Sequence, residues 1–305
     1  MQKLINNKKI IFFYAILLGV TSSFSLPPYG YFFINFITLN LLFILLNNNK
    51  YLYNKKDFFL YGWSFGFGYF FSSLYWITIS LTFDPDFKFL IPLALILIPG
   101  FLAIFFAVPT FVLFFFKTFS KIRLILIFSL LFGISEYLRG TILTGFPWNL
   151  FIYSFSNYLS FLQALSLFGT YGLNLICITF FLIPSILFYK KTSFETMIAI
   201  ILSIIFILFF LFGNYKLNIS KSDNILINEE FNLKVLASKI DINRFYNIEN
   251  EKELVAQLID LGNKSDNNLP TIFIWPEGVL TASFLKDIKK YKDLFKSNFN
   301  KDDLI

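Results

Sequence analysis

The chain has 305 residues, of which 56% are apolar and only 15% charged, and its mean hydropathy is +0.66. Soluble domains carry about a quarter charged residues, so this composition points to a membrane. One cysteine, Cys177, and no histidine exclude an internal disulfide, a zinc site of ordinary ligand spacing and any His-based triad. The net charge of +7 sits in short clusters between apolar runs, so nucleic acid is not an expected partner.

A membrane helix needs roughly 20 apolar residues, because about 1.5 Å per residue must cover about 30 Å of hydrocarbon. Seven stretches meet that standard: 9–25, 31–47, 58–81, 89–116, 122–138, 161–189 and 195–213. The first, preceded by Lys3, Lys8 and Lys9 and ending near Ser22 and Ser23, has the layout of a secretion signal. With six further stretches behind it, an uncleaved signal-anchor is the better reading. The fourth carries Pro92, Pro99 and Pro109, which a bundle tolerates where neighbouring helices satisfy the freed carbonyls.

Lysines and arginines of short loops set orientation. One side would hold Lys3, Lys8 and Lys9, then Lys50, Lys55 and Lys56, then Lys117, Lys121 and Arg123, then Lys190 and Lys191. The opposite loops hold Asp84, Asp86, Lys88 and Arg139. This predicts a cytoplasmic N-terminus and places everything after about Leu217 outside.

From residue 216 the long apolar runs stop. Phe231 to Ile240 alternates, with Leu233, Val235 and Ala237 on one face, and predicts a strand. Asn247 to Lys264 predicts a helix that buries Leu254, Leu258 and Leu261, with Val255 and Ile259 beside them. Thr271 to Trp275 predicts a buried parallel strand, and a trailing helix is expected around Phe284 to Phe295. Strand, helix and strand make one βαβ unit, too small to bury a stable core alone. The predicted domains are a helical bundle over 1–215 and an incomplete α/β domain over 216–305.

Glu277 follows the second strand, at the carboxyl edge where open α/β sheets place catalytic groups. Trp275 and Pro276 would give it an apolar setting suited to a general base; the plainer alternative is a solvated acid in a turn. Glu136 and Arg139 lie three apart on one helix face and can pair, which reads as a structural anchor near the outer interface. Phe146 and Trp148, in the Gly140 to Trp148 segment, read as belt aromatics or as a wall of a lipid-facing cleft. Tyr75 and Trp76 read as packing or belt residues. Cys177, within an apolar span, reads as a buried thiol unsuited to nucleophilic attack.

Four blocks in this order, GWSFGFGYFFSSLYWITISL (62–81), EYLRGTILTGFPWNLFIYS (136–154), LFGTYGLN (167–174) and IWPEGVL (274–280), resemble the apolipoprotein N-acyltransferases. The resemblance implies a multi-pass bundle of about seven spans followed by the start of a nitrilase-like α/β domain. It implies a bacterial inner membrane with that domain in the periplasm. It implies transfer of an acyl chain from a phospholipid, through a cysteine thioester, to the amino group of a lipoprotein's diacylglyceryl-cysteine, with no cofactor. Glu277 matches the family's general base, and Phe146, Trp148 and Trp275 are the lipid-facing or substrate-facing candidates. In the family an oxyanion-stabilising Lys and the Cys nucleophile lie well beyond that Glu, and no cysteine follows Glu277 here. Lys286, Lys289, Lys290 and Lys292 read as a solvated helix face. The expectations are therefore a C-terminally truncated enzyme, inactive alone, or one completed by a separately encoded C-terminal half. A non-catalytic lipid-binding subunit is the alternative; a transporter is disfavoured because the spans show no repeated interrupted helices.

Overall fold

The computed structural model describes residues 8–48, 54–187, 193–222, 231–237, 251–262, 270–276 and 291–298. They belong to two units, Met1–Asp223 and Asn224–Ile305.

Among its described residues, the regular structure of the first unit is all helical. Helices α1 (Lys8–Ser23), α2 (Phe33–Asn48) and α3 (Lys55–Ser73) are followed by 3-10 turns at Tyr75–Thr82 and Pro85–Leu90. Then come α4 (Ile91–Leu102), α5 (Ile104–Leu113), α6 (Lys121–Thr141), α7 (Leu159–Leu162), α8 (Leu165–Phe181), α9 (Ile183–Leu187) and α10 (Ser193–Ser222). Helix therefore forms in each apolar stretch. Two helical runs, Pro85–Phe116 with 32 residues and Ser193–Ile219 with 27, are long and apolar enough to cross a membrane unaided.

The third stretch is shorter than its apolar run of 58–81. Ser72 Oγ donates to Gly68 O and Ser73 Oγ to Tyr69 O, and Trp76 Nε1 donates to Ser73 O at 3.0 Å. Side chains that bond back to the last carbonyls compete with the next helical turn. The fourth stretch breaks at Ala103, between its prolines. Pro109 leaves the Phe105 carbonyl without its helical donor, and Ser135 Oγ of α6 supplies one. Trp63 Nε1 of α3 donates to Gly100 O at 3.0 Å. A neighbouring helix thus satisfies the carbonyl that Pro109 exposes, and another meets a carbonyl beside the break at Ala103.

Close crossings and aromatic packing hold the unit together. A Cβ on Gly19 of α1 would lie 2.0 Å from Phe65 O, and one on Gly68 of α3 would lie 2.1 Å from Ile16 O. The two backbones touch, as small residues permit where apolar burial gives no drive between helices. Phe106 of α5 is fully buried, with ring centroids 5.3 Å from Phe70, 5.4 Å from Phe132 and 5.6 Å from Tyr69. Asn40 of α2 bridges the break between α8 and α9: its amide donates to Phe181 O, and its Oδ1 accepts from the Ser185 N–H at 2.7 Å. Outward faces stay apolar, with Leu97, Ile200, Ile204 and Leu208 all exposed.

In the second unit β1 (Asn232–Val235) and β2 (Thr271–Ile274) pair in parallel, Asn232 opposite Thr271 and Val235 opposite Ile274. Helix α11 (Glu251–Leu261) lies between them in sequence and α12 (Lys292–Asn298) follows. One expectation is corrected, and the covered face of β1 is identified. The inward face of α11 is Val255, Leu258 and Ile259, continued by Gly262 just past its end, while Leu261 is exposed; positions i, i+3, i+4 and i+7 form a stripe rotated from the leucine spacing. Leu233 and Val235 are 58% and 67% exposed. The covered face of β1 carries Lys234 instead, whose ammonium donates to Gly262 O at 3.2 Å and lies over the Phe273 ring. An amphipathic lysine can line an apolar surface with its stem.

Candidate functional site

The Glu136 to Asn149 segment turns the end of α6 into a loop with an unusual backbone. Leu143, Thr144 and Asn149 have φ of 53°, 72° and 60°, and Gly145 has 81°. The left-handed region costs a non-glycine residue roughly 1–2 kcal/mol, so something must hold the loop in place. Three side chains do. Arg139 Nη1 donates to Phe146 O at 2.7 Å and to Trp148 O at 2.6 Å. Tyr153 Oη donates to Pro147 O at 3.2 Å, and Tyr69 Oη to Asn149 O at 3.0 Å. Four successive carbonyls are thus captured by donors from α3, α6 and the Phe151–Phe155 turn.

Arg139 is 1% exposed and Glu136 fully buried. The expected pair forms, with a closest approach, Nη2 to Oε1, of 3.8 Å, and the bundle encloses both side chains. Glu136 Oε2 instead accepts from Asn174 Nδ2 of α8, whose Oδ1 accepts from the Ile152 N–H at 3.0 Å. The guanidinium also lies over the Phe70 ring at 5.2 Å. A buried charge persists only when paired and bonded, and here both charges are spent on holding α6, α8 and the loop. Asn174 was missed. Its signal was present: an amide inside an apolar run, at the end of the LFGTYGLN block.

The clamp displays Phe146 and Trp148, whose rings meet at 5.2 Å. Phe146 is half-buried, packed against the core, and Trp148 is 50% exposed. Trp148 also meets Trp76 at 5.4 Å. Nearby, the α1–α2 connection, the end of α3 and residues 149–156 enclose a cavity of about 570 Å³ lined by Ser23, Tyr29, Ser72, Tyr75, Trp76, Asn149 and Ser156 among others. Cys177 is 1% exposed in α8, as expected of a packing thiol.

In the second unit Trp275 follows β2 and stacks on Phe295 at 5.7 Å, against Val255, Ile259 and Tyr291. Its indole N–H is buried without a partner among the described residues. Glu277 lies outside the described residues, as do Lys286, Lys289 and Lys290. No group of three or more metal-ligating side chains occurs among the described residues.

A family description, apolipoprotein N-acyltransferase N-terminal domain, matches residues 18–183, which contain the clamp, the cavity and Cys177. The apolipoprotein N-acyltransferase of Rhodopseudomonas palustris is 28% identical over 282 residues, covering 86% of this chain and 50% of that protein. That of Rickettsia prowazekii is 36% identical over 165 residues, 54% of this chain and 32% of the relative. That of Rhizobium rhizogenes is 34% identical over 180 residues, 57% and 34%. The chain spans about half the length of the curated relatives it matches in most of its own length. With more than half of its residues inside that domain, the chain belongs to the apolipoprotein N-acyltransferase family.

Proposed function

We propose that the chain is the lipid-handling part of a bacterial inner-membrane lipoprotein N-acyltransferase. In this reading the helical unit crosses the bilayer about seven times, N-terminus inside, and residues from about 216 onward form the beginning of a nitrilase-like domain in the periplasm. The observation that carries it is the clamped loop. A segment matched by the family spends a buried ion pair, two tyrosines and a buried amide on fixing Phe146 and Trp148, a cost that simple packing does not require.

The reaction proposed is two acyl transfers. A thiolate attacks the ester carbonyl of a phospholipid; the C–S bond forms, the C–O bond breaks, and the lysophospholipid alkoxide takes the proton that Glu277 received from the thiol. The amine of a diacylglyceryl-cysteine then attacks the thioester, the amide forms and the thiol is regenerated with a proton from the amine. Dividing one difficult transfer into two is the gain of covalent catalysis. Trp275 would wall the substrate side of Glu277.

Cys177 cannot be that thiol, since it is buried in α8. In this proposal the chain alone forms no acyl-thioester, and the nucleophile and oxyanion-binding lysine come from a segment such as the relatives carry beyond the matched half. The same observation favours a second reading, a lipid-binding subunit without chemistry. The test is to incubate the purified chain in liposomes with an alkyne-tailed phospholipid, with and without the co-expressed second half of the Rhodopseudomonas relative. Lipoprotein N-acylation only with the added half supports the enzyme reading. Lipid binding with no acylation in either case leaves the subunit reading, and a hydroxylamine-sensitive label on the chain alone refutes the assigned absence of a nucleophile.

A further inference from the structure

The two strands of the second unit turn their polar side inward. The face toward α11 carries Asn232, Lys234 and Thr271 beside Phe273, with the Lys234 ammonium donating to Gly262 O. Successive side chains along a strand point to opposite faces. Phe231, Leu233, Val235 and Ala237 of the β1 segment therefore share the other face with Ile272 and Ile274 of β2. In register, Leu233 lies beside Ile272 and Val235 beside Ile274. That face has no polar side chain, and all of it except Ile272 is exposed.

Burial of apolar surface is the main gain of folding, and parallel strands occur almost only in sheets covered on both faces. An apolar face turned outward beside a polar face turned inward therefore marks a contact surface. A second copy laid face to face is too small an answer. At about 3.3 Å per residue and about 4.8 Å between strands, these strands offer a footprint of roughly 200 Å². Stable association needs about 1,000 Å² in total or more. The occupant must reach beyond the two strands, and their edges show how. Among the described residues the sheet has only two strands, so each has an edge at which a further strand can pair. An occupant that covers the face and extends the edges is a polypeptide with β structure of its own. The relatives that match most of this chain do so over half of their length, so their second half has the size to do both.

We propose that the face formed by Leu233, Val235, Ile272 and Ile274 is the docking surface for the second half of a lipoprotein N-acyltransferase supplied as a separate polypeptide. The inference rests on the function proposed above and deepens it, by naming where the segment that brings the nucleophile seats.

The experiment introduces one reporter thiol at a time into the full chain, whose own Cys177 is buried. Val235→Cys lies on the open face, and Gln257→Cys on the exposed side of α11 serves as control. Each variant is placed in nanodiscs, alone or after co-expression with the second half of the Rhodopseudomonas relative. Maleimide labelling is then followed by peptide mass spectrometry. Alone, the two thiols should react within about twofold of each other. With the second half, Val235→Cys should slow at least about tenfold and Gln257→Cys should not change. Leu233→Asp alters an exposed side chain, so it removes no buried packing from the chain alone; it should stop the second half from co-purifying and return Val235→Cys to its fast rate. Equal labelling of Val235→Cys with and without the second half overturns the proposal. Slow labelling in the chain alone overturns it too: at twice the chain's mass the occupant is a second copy, and at its single mass the chain's own residues. Protection without lipoprotein acylation keeps the docking surface and removes the catalytic reading. Acylation with Val235→Cys still open does the reverse.

Discussion

The clamped loop of the first unit and the two-stranded sheet of the second solve opposite problems. The loop has a costly backbone and every carbonyl from Phe146 to Asn149 taken up by a side chain. The sheet has regular backbone, and its face bearing Leu233, Val235 and Ile274 is open. Irregular structure is therefore the better-held part of this molecule, because polar groups inside an apolar bundle have nowhere else to turn. Regular structure with an uncovered face gains only from the covered side.

The sharpest way to break this comparison is Arg139→Met. It leaves Glu136 buried without its cation and strips Phe146 O and Trp148 O of their donor. A loss of about 3–5 kcal/mol is expected for breaking a buried pair from one side, read as a large fall in the melting temperature of the detergent-solubilised chain. An unchanged melt would mean that the clamp holds nothing. Phe106→Ala comes next. It removes the ring that meets Phe70, Phe132 and Tyr69, and about 3 kcal/mol or somewhat more should be lost, again by thermal unfolding.

Gly169 offers a finer test. Its φ of 66° breaks the start of α8, yet an added Cβ would meet nothing within 4 Å. With ψ at 175° Gly169 lies in a region that essentially only glycine adopts, so Gly169→Ala should cost the backbone term of about 1–3 kcal/mol; a larger loss would reveal packing that the geometry does not contain. Leu233→Ser is the smallest effect. With Leu233 58% exposed, stability should move by no more than about 0.5 kcal/mol, measured by urea titration of the second unit's tryptophan emission. A loss of several times that would show that the open face is covered in solution.

The sequence made some of this legible and hid the rest for definable reasons. Apolar runs located the helices of the first unit because composition alone carries that signal. It did not locate the ends: Ser72 and Ser73 cut α3 short through bonds that no hydropathy window registers. The Glu136 and Arg139 spacing identified the pair, which forms at 3.8 Å, but not its further partners, Asn174, 38 residues away, and the loop that follows. Alternation in β1 identified which residues share a face, but not which face is covered, and the lysine side won. Leucine spacing rotated the face of α11 for a related reason: Val255 and Ile259 share the covered side with Leu258, while Leu261 is exposed. The predicted base, Glu277, lies one residue past the described end of the β2 segment at Pro276, so its role stays a proposal resting on the Trp-Pro-Glu block.

Asn40 carries a consequence for biosynthesis. Its amide meets the Phe181 carbonyl, 141 residues later in the chain. At about 5–20 residues per second of synthesis, that acceptor emerges roughly 7–28 s after Asn40 does. During that interval a side-chain amide within an apolar helix has its own Phe36 carbonyl to bond, and a polar group left unmet in apolar surroundings costs a few kcal/mol. Helix α2 thus waits, incompletely satisfied, for α8 and α9, and the pace of the ribosome sets how long a nascent chain stands open to quality-control proteases before its early and late helices lock.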